Sequence, residues 1–488
     1  MSIPRLSESV LPRLPPGIAV PAYDRAQVAP GIVHLGVGAF HRAHQALFID
    51  DVLGRGETDW GIIAASLRSA DTRDAIGPQD NLYTYCERNG ESESLRIVGS
   101  ILETLVAPED PERLIRWLSD PRIRIVTLTV TEKGYLANLA ERRLLHDHPD
   151  IRWDLAQPEA PRTIYGFLLA AIRRRRADGA MPLTLLSCDN LPANGRVLRA
   201  LLLEFAERAD PSLVAHIAQD IACPCAMVDR IVPATSDADR ATVAARLGAT
   251  DAWPVVAEPY FRWVIEDRFP HGRPKLEFSG VEFVANVEPY EHMKLRMLNG
   301  AHTAIAAIGQ IAGLETVADV YGDPRARRFI DRYWREVAPT LSPETDGPGY
   351  TRGLQDRFAN PALRHRTVQI ASDASQKVPQ RLLAPLAERM RDGQAHGAVL
   401  MALALWIRSC AARSEGGLPT VIHDPAFNAW HSPDQATLSP EAIIDAFLGF
   451  DLVFGPEWRA KPGFAAALTE AYRRISTAGA LAALDQFD

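Results

Sequence analysis

The sequence predicts an α/β chain: a parallel β-sheet covered by helices, followed by a mainly α-helical domain. Three observations carry this reading. Short runs of β-branched and aliphatic residues alternate with helical runs through the first half, the pattern of strands joined by helical crossovers. After about Val287 long helical patterns dominate, separated by loops rich in Pro, Gly and Asp. The 488 residues also exceed what one ordinary core holds, so two or three domains are expected.

Residues 32–35 (IVHL) read as a buried strand, and the stretch from about 41 to 53 as the helix that follows it. Residues 61–66 form a second strand. Residues 124–131 (RIVTLTVT), rich in Val, Ile and Thr, form a third. A helix over 163–176 leads to a strand at 183–187. The helical half is read as 293–311, 325–337, 379–391, 395–412 and 440–450. The boundary falls near 285–290, which gives a nucleotide-binding α/β domain over 1–287 and a mainly helical domain over 288–488.

With 47% hydrophobic and 23% charged residues, the composition is that of a folded protein without disordered or fibrous bias. A net charge of −8 argues against a dedicated nucleic-acid surface. The one dense basic run, Arg173 to Arg176, ends an apolar helical stretch, where cations suit the helix dipole. It reads as a solvated last turn. The five cysteines are scattered, and Cys223-Pro-Cys225 is tighter than zinc spacing, so no metal is expected. Pro15, Pro16 and Pro21 break up the segment where a signal peptide would lie, and the longest fully apolar run, 398–407, is half of a membrane span. The expectation is a cytoplasmic protein that meets a small molecule and neither membrane nor nucleic acid. A monomer is expected, with higher assembly left open.

Three constellations carry chemistry. Gly36-Val-Gly38-Ala-Phe40-His41 follows the first strand. Two glycines there let the backbone turn tightly and approach a pyrophosphate, whose charge then faces the N–H groups opening the next helix. The third glycine of the usual fingerprint is missing, His41 standing in its place, and a bare G-x-G serves equally as a structural turn. A ribose-binding carboxylate is expected after the second strand, where Leu67-Arg68-Ser69-Ala70-Asp71 follows. Asp71 would suit the ribose hydroxyls of NAD and Arg68 a 2′-phosphate, so NAD is expected with NADP also possible.

The second constellation is Lys294-Leu-Arg-Met-Leu-Asn299-Gly-Ala-His302. An α-helix would place His302 about 80° and Asn299 about 140° around the axis from Lys294. Oxidising a secondary alcohol requires a base for the hydroxyl proton. A lysine serves when its pKa falls from about 10.4 towards 7–8. An amide such as Asn299 would then steady the oxyanion. A lysine snorkelling at the surface beside a cap residue fits the same spacing. The third constellation, Ser187-Cys188-Asp189-Asn190-Leu191-Pro192, ends a strand, where parallel sheets bind ligands. Asn190 is equally a cap or turn residue.

Together these segments resemble the polyol-specific long-chain dehydrogenase/reductases, the mannitol dehydrogenase family. The resemblance runs along essentially the whole chain: HLGVGAFHRAHQA (34–46), TVTEKGY (129–135), SCDNLPANG (187–195), CAMVDRIVPAT (225–235), WPVVAEPYFRWVIED (253–267), KLRMLNGAH (294–302) and SDASQKVPQR (372–381). It implies a zinc-free, NAD(P)-dependent enzyme with a Rossmann-type N-terminal domain and a helical C-terminal domain. It further implies that Lys294 is the catalytic base, Asn190 and Asn299 the oxyanion amides, and His302 the substrate-orienting residue. Asp229 and Lys377 match further positions lining the family's substrate pocket, and Glu132 an acid near its proton path. Residues 363–381, with Gln369 and Arg381, resemble the fructuronate reductase (D-mannonate oxidoreductase) branch. The loop 67–71 resembles the mannitol 2-dehydrogenase branch, with Ala70 replacing an acid. The arginines Arg364, Arg366 and Arg381 would suit a substrate carboxylate. Reduction of D-fructuronate to D-mannonate is the leading expectation, mannitol oxidation the second, and a nucleotide-binding regulator without catalysis the alternative from another class.

Overall fold

Five apolar runs make the central sheet of the computed structural model, which describes residues 3–485 except 91, 140, 411–414, 416–423 and 425–437. They are Pro30–Leu35 (β1), Gly61–Ser66 (β2), Ile101–Val106 (β3), Ile125–Leu128 (β4) and Thr184–Ser187 (β5). Their order is β3-β2-β1-β4-β5 and every pairing is parallel. Such a sheet is buried on both faces, which explains strands that are apolar throughout rather than alternating with polar residues. Val33, Leu35, Ile63, Val126 and Leu185 join one core with the helices Pro111–Ser119, Ile164–Ala177 and Asn194–Ala209. Ile32, Ile62, Ile125 and Leu186 face the opposite core with helix Gln45–Gly54. The connection reverses direction between β1 and β4, the point at which sheets of this Rossmann type open a crevice.

The chain forms two compact units, Met1–Glu288 and Pro289–Asp488. Besides the central sheet, the first carries two smaller three-stranded sheets. One joins Tyr83–Asn89, Ser92–Val98 and Val255–Ala257; the other joins Ala226–Asp229, Arg262–Glu266 and Glu282–Val284. The pair Tyr83–Asn89 and Ser92–Val98 has no counterpart in the sequence reading. Charged residues such as Arg88 and Glu93, which pair across it at 2.6 Å, conceal its strand character.

Other elements differ from expectation for identifiable reasons. The helix expected at 41–53 is two helices, Ala39–Arg42 and Gln45–Gly54. His44 sits at the break, its ring packed against Phe40, Phe48 and Trp263. The strand expected at 124–131 ends at Leu128, because Thr131 turns to φ 65° under the pull of the Asp189 carboxylate. The four arginines are not all solvated. Arg175 is buried and donates to the carbonyls of Asp120 (2.7 Å), Ile123 (3.0 Å) and Met181 (2.9 Å). It ties the helix end to the chain entering β4.

The second unit is helical among its described residues. Its expected first helix is interrupted: Glu288–Met293 is α-helical, Lys294–Asn299 is a π-helix, and Gly300–Ala312 is α-helical again. The 3.6-residue spacing assumed from sequence therefore does not hold across Lys294–Asn299. A second π-turn, Pro379–Leu383, opens the helix expected at 379–391. The helix expected at 395–412 is described as Gly397–Cys410, with 411 and 412 outside the described residues, and that at 440–450 ends at Leu448.

Twelve of the fourteen residues of Gly397–Cys410 are buried, so this helix forms the axis of the unit's core. Its opening N–H groups have no intrahelical acceptor. The buried Glu336 carboxylate takes those of Ala398 (2.7 Å) and Val399 (3.2 Å). Glu336→Ala should therefore destabilise the helical unit by about 2–4 kcal/mol, with Glu336→Gln less damaging. Denaturant unfolding of the three proteins checks this; equal midpoints for wild type and Glu336→Ala would contradict the capping role.

Candidate active site

In the first unit β1 ends at the glycine turn. Gly36 holds φ 101°, and a Cβ there would lie 2.2 Å from the Thr129 carbonyl oxygen. The protein's own packing thus requires glycine at 36. Gly38 is different: it has φ −90° and caps helix Ala39–Arg42, and a Cβ there would meet only the Gly36 carbonyl at 3.9 Å. Its missing side chain leaves room for something other than the protein.

Beneath the turn lies a buried polar network. The His34 ring stacks on His41 with centroids 3.4 Å apart. His34 Nε2 is 3.1 Å from the Gly36 carbonyl, which only accepts, so this nitrogen carries the proton. Nδ1 then accepts from the Thr127 hydroxyl at 2.8 Å. Burial holds His34 neutral, lowering it to about 3 against the opposing bond to Gly36. The neighbouring loop is fixed by Asp189, which accepts from the N–H groups of Val130 (3.2 Å) and Thr131 (2.8 Å) and from the Tyr135 hydroxyl (3.0 Å). Burial nevertheless raises Asp189 to about 6.

A cleft of about 740 Å³ opens at the carboxyl ends of these strands, lined by Gly36, Gly38, Ser66, Arg68, Ser69 and Thr129 among others. Its volume suits a large cofactor. Arg68 thus joins the two glycines, whereas neither Asp71 nor Phe40 is among its lining residues. Asp71 is exposed in the first turn of helix Asp71–Ile76, and Phe40 stacks on His44 at 4.8 Å. Glu132 is exposed in helix Thr131–Gly134 and lies near enough to Asp189 to act on its charge. Asn190 is exposed three residues beyond β5. Asp229 is buried at the end of the strand Ala226–Asp229. Asn194 holds the segment between them in place, bonding Asp189 O (3.1 Å), Ala226 O (2.7 Å) and Ala226 N (2.9 Å).

In the second unit the Lys294–Asn299 turn has an evident cause. Two side chains of helix Pro324–Val337 reach its carbonyls: the Tyr333 hydroxyl donates to Arg296 O (2.8 Å) and Trp334 Nε1 to Met297 O (2.9 Å). These donors compete for oxygens that an α-helix would use four residues on, and the widened i→i+5 turn results. Lys294 and Asn299 stand five residues apart, one such turn, both half-buried. Arg296 points away from them, in a bidentate pair with Glu388 at 2.8 and 2.7 Å.

His302 is buried, stacked on Phe358 (4.9 Å) and edge-on to His365 (5.1 Å). Burial holds its imidazole well below the usual histidine range, helped by His365, Arg357, Arg381 and Lys294. Arg381 reaches Thr303 Oγ1 at 3.3 Å, and Lys377 Nζ donates to Ser372 O at 2.8 Å. Gln369, Arg364 and Arg366 are exposed, with Arg364 3.9 Å from Glu315. Sequence reasoning did not single out Arg357, His365, Tyr333 or Asp189 for a role. Only Asp189 gave a signal, as an acid two residues beyond a buried strand.

Comparison with known proteins places two family models on the chain: the mannitol dehydrogenase Rossmann domain over residues 30–278 and the mannitol dehydrogenase C-terminal domain over 286–476. A D-mannonate oxidoreductase of Escherichia coli (strain K12) is 40% identical over 95% of this chain and 96% of its own. A mannitol 2-dehydrogenase of Phaeosphaeria nodorum is 38% identical over 96% of this chain and 83% of its own. Among solved structures, the Pseudomonas fluorescens mannitol 2-dehydrogenase, in ternary complex with NAD and D-mannitol, matches with a TM-score of 0.87. It is 37% identical and covers 99% of both chains.

The two glycines should separate by experiment. Gly36→Ala should lower stability by about 2 kcal/mol or more through strain. Gly38→Ala should keep wild-type stability while weakening dinucleotide binding at least tenfold. Thermal unfolding and NADH fluorescence titration read the two effects, and matching losses in both variants would refute the distinction.

The His34 network carries a pH dependence. The unfolded imidazole titrates near 6.5 and the folded one at about 3, so its contribution to stability is present above pH 6.5 and is lost as pH falls towards 3. His34→Gln should flatten the stability profile over that window. An unchanged slope in denaturant titrations between pH 6.5 and 4 would remove His34 from the account.

Proposed function

The chain belongs to the mannitol dehydrogenase family, and on that premise we propose that it is an NAD-dependent oxidoreductase interconverting a secondary alcohol and a ketone on an acyclic sugar acid or polyol. Our leading assignment is reduction of D-fructuronate to D-mannonate, supported by the 40% identity to the E. coli D-mannonate oxidoreductase. The second reading, D-mannitol to D-fructose, is supported by the likeness to the Pseudomonas mannitol enzyme.

The observation that carries the catalytic reading is the widened turn, which sets Lys294 and Asn299 one i→i+5 turn apart beside a neutral His302. A bound nicotinamide dinucleotide supplies the hydride acceptor. The glycine turn and its cleft fit such a group, since Gly38 leaves space that no protein atom claims. In alcohol oxidation the hydroxyl proton passes to Lys294 Nζ as hydride leaves the same carbon. Asn299 donates to the oxygen as negative charge develops, and the family resemblance assigns Asn190 the same kind of role. His302, uncharged and hydrogen-bond competent, orients an adjacent hydroxyl. Asp229 and Lys377 are assigned to substrate binding and Glu132 to proton exchange with water. NADP is accepted as a second cofactor, because Arg68 and Ser69 line the cleft and Asp71 does not.

Lys294→Ala should reduce turnover in both directions by about 10²–10⁴-fold, the usual worth of a positioned base, and abolish the ionisation governing oxidation. Asn299→Ala should cost about 100-fold in kcat. Following NADH absorbance at 340 nm with D-fructuronate and D-fructose checks both, with NADH binding as the control. Near-normal oxidation by Lys294→Ala, with its pH profile unaltered, would defeat the mechanism.

A further inference from the structure

We propose that Arg357, His365 and Arg381 form the recognition site for a substrate carboxylate beside His302, and that they select sugar acids over neutral polyols. The inference rests on the dehydrogenase reading above and goes beyond it by naming the residues that decide the substrate class.

The geometry begins with two imidazoles, His302 buried and His365 half-buried with its Nδ1 out of reach of solvent. His302 and His365 meet edge-on at 5.1 Å, and neither His302 Nε2 nor His365 Nδ1 has a hydrogen-bond partner among the described residues. Buried polar atoms of this kind are normally satisfied, and unsatisfied ones mark places where a ligand or water completes the bonding. Phe358 closes one face of His302, and Arg357, its neighbour in helix Gly347–Ala359, is buried beside it. Arg381 arrives from the second π-turn and is held towards helix Gly300–Ala312 by its contact with Thr303.

After burial, the ionisable groups that bear most on His302 are all basic: His365, Arg357, Arg381 and Lys294. Arg357 also helps burial to lower His365 to about 4. A neutral polyol gains little from such a cluster. A carboxylate gains charge-assisted bonds from guanidinium groups, which present paired donors, and a further bond from an imidazole N–H. Arg364 and Arg366 are excluded from the site by their exposure.

The test is the ratio of kcat/KM for D-mannonate to that for D-mannitol, with NAD, in wild type and in Arg381→Met, Arg381→Lys and His365→Phe. Wild type should favour the acid at least 100-fold. Arg381→Met and His365→Phe should each reduce that ratio at least tenfold, mainly through KM for the acid. Arg381→Lys should recover part of it. Circular dichroism and NADH titration identify any variant that has not folded, and Arg381→Lys carries the test if Arg381→Met fails. A wild type that oxidises D-mannitol as well as D-mannonate overturns the carboxylate site and leaves the dehydrogenase reading standing. So do variants with an unchanged ratio. Inactivity of wild type towards both classes overturns the dehydrogenase reading and the site with it.

Discussion

Two hydrogen bonds from one helix hold the geometry on which the chemistry proposed for the second unit depends. Tyr333 and Trp334 are adjacent in sequence, and they donate to the adjacent carbonyls of Arg296 and Met297. Side-chain donors on two successive carbonyls weaken the ordinary i→i+4 ladder there and favour the longer turn. The cost in helix geometry is offset by satisfying two buried donors, the Trp334 indole N–H and the Tyr333 hydroxyl. Gly300 lets Tyr333 come so close, since a Cβ at that position would lie within bonding range of the tyrosine oxygen. Lys294, Asn299 and His302 therefore owe their relative placement to packing between helices and not to local helix propensity.

The first unit reaches its geometry by a different route, through buried polar groups at the carboxyl end of a parallel sheet. His34 on β1 bonds to Thr127 on β4 and to the carbonyl of Gly36, while Asp189 beyond β5 captures the backbone of Val130 and Thr131. Each of these side chains crosses from one strand end to another. A crevice lined by loops becomes a fixed surface when such cross-links remove the loops' freedom. Asp189 is the most demanding of them. Its ionised form has been taken out of water, and three donors only partly restore what was lost.

The features legible in the sequence were those set by short-range rules. Gly61–Ser66 reads directly as a strand because nothing in it conflicts with burial on two faces, and Gly36 reads as a turn because glycine is needed there. Family resemblance, resting on motifs spread along the chain, named more candidate site residues than spacing did. The π-turn was not legible. Residues 293–311 have an unbroken helical pattern, and the groups that widen it lie 37 residues away. Arg357 and His365 were hidden for the same reason, since each acquires meaning only beside a residue distant in the chain. The ribose-facing loop was legible only in part: Arg68 lines the cleft, but a charge on a short helix after β2 does not by itself say which way it faces, and Asp71 is not among the cleft residues.

The two glycines of the turn bear on how this motif would change over generations. Gly36 answers to the Thr129 carbonyl, and so to the fold, whereas Gly38 answers to empty space. A descendant that gave up its dinucleotide would be held to glycine at 36 by the need to fold and released from it at 38. One short motif would thus answer to two separate constraints, the fold at 36 and the proposed dinucleotide at 38, and a chain keeping the first glycine while varying the second would have kept the architecture after its chemistry had gone.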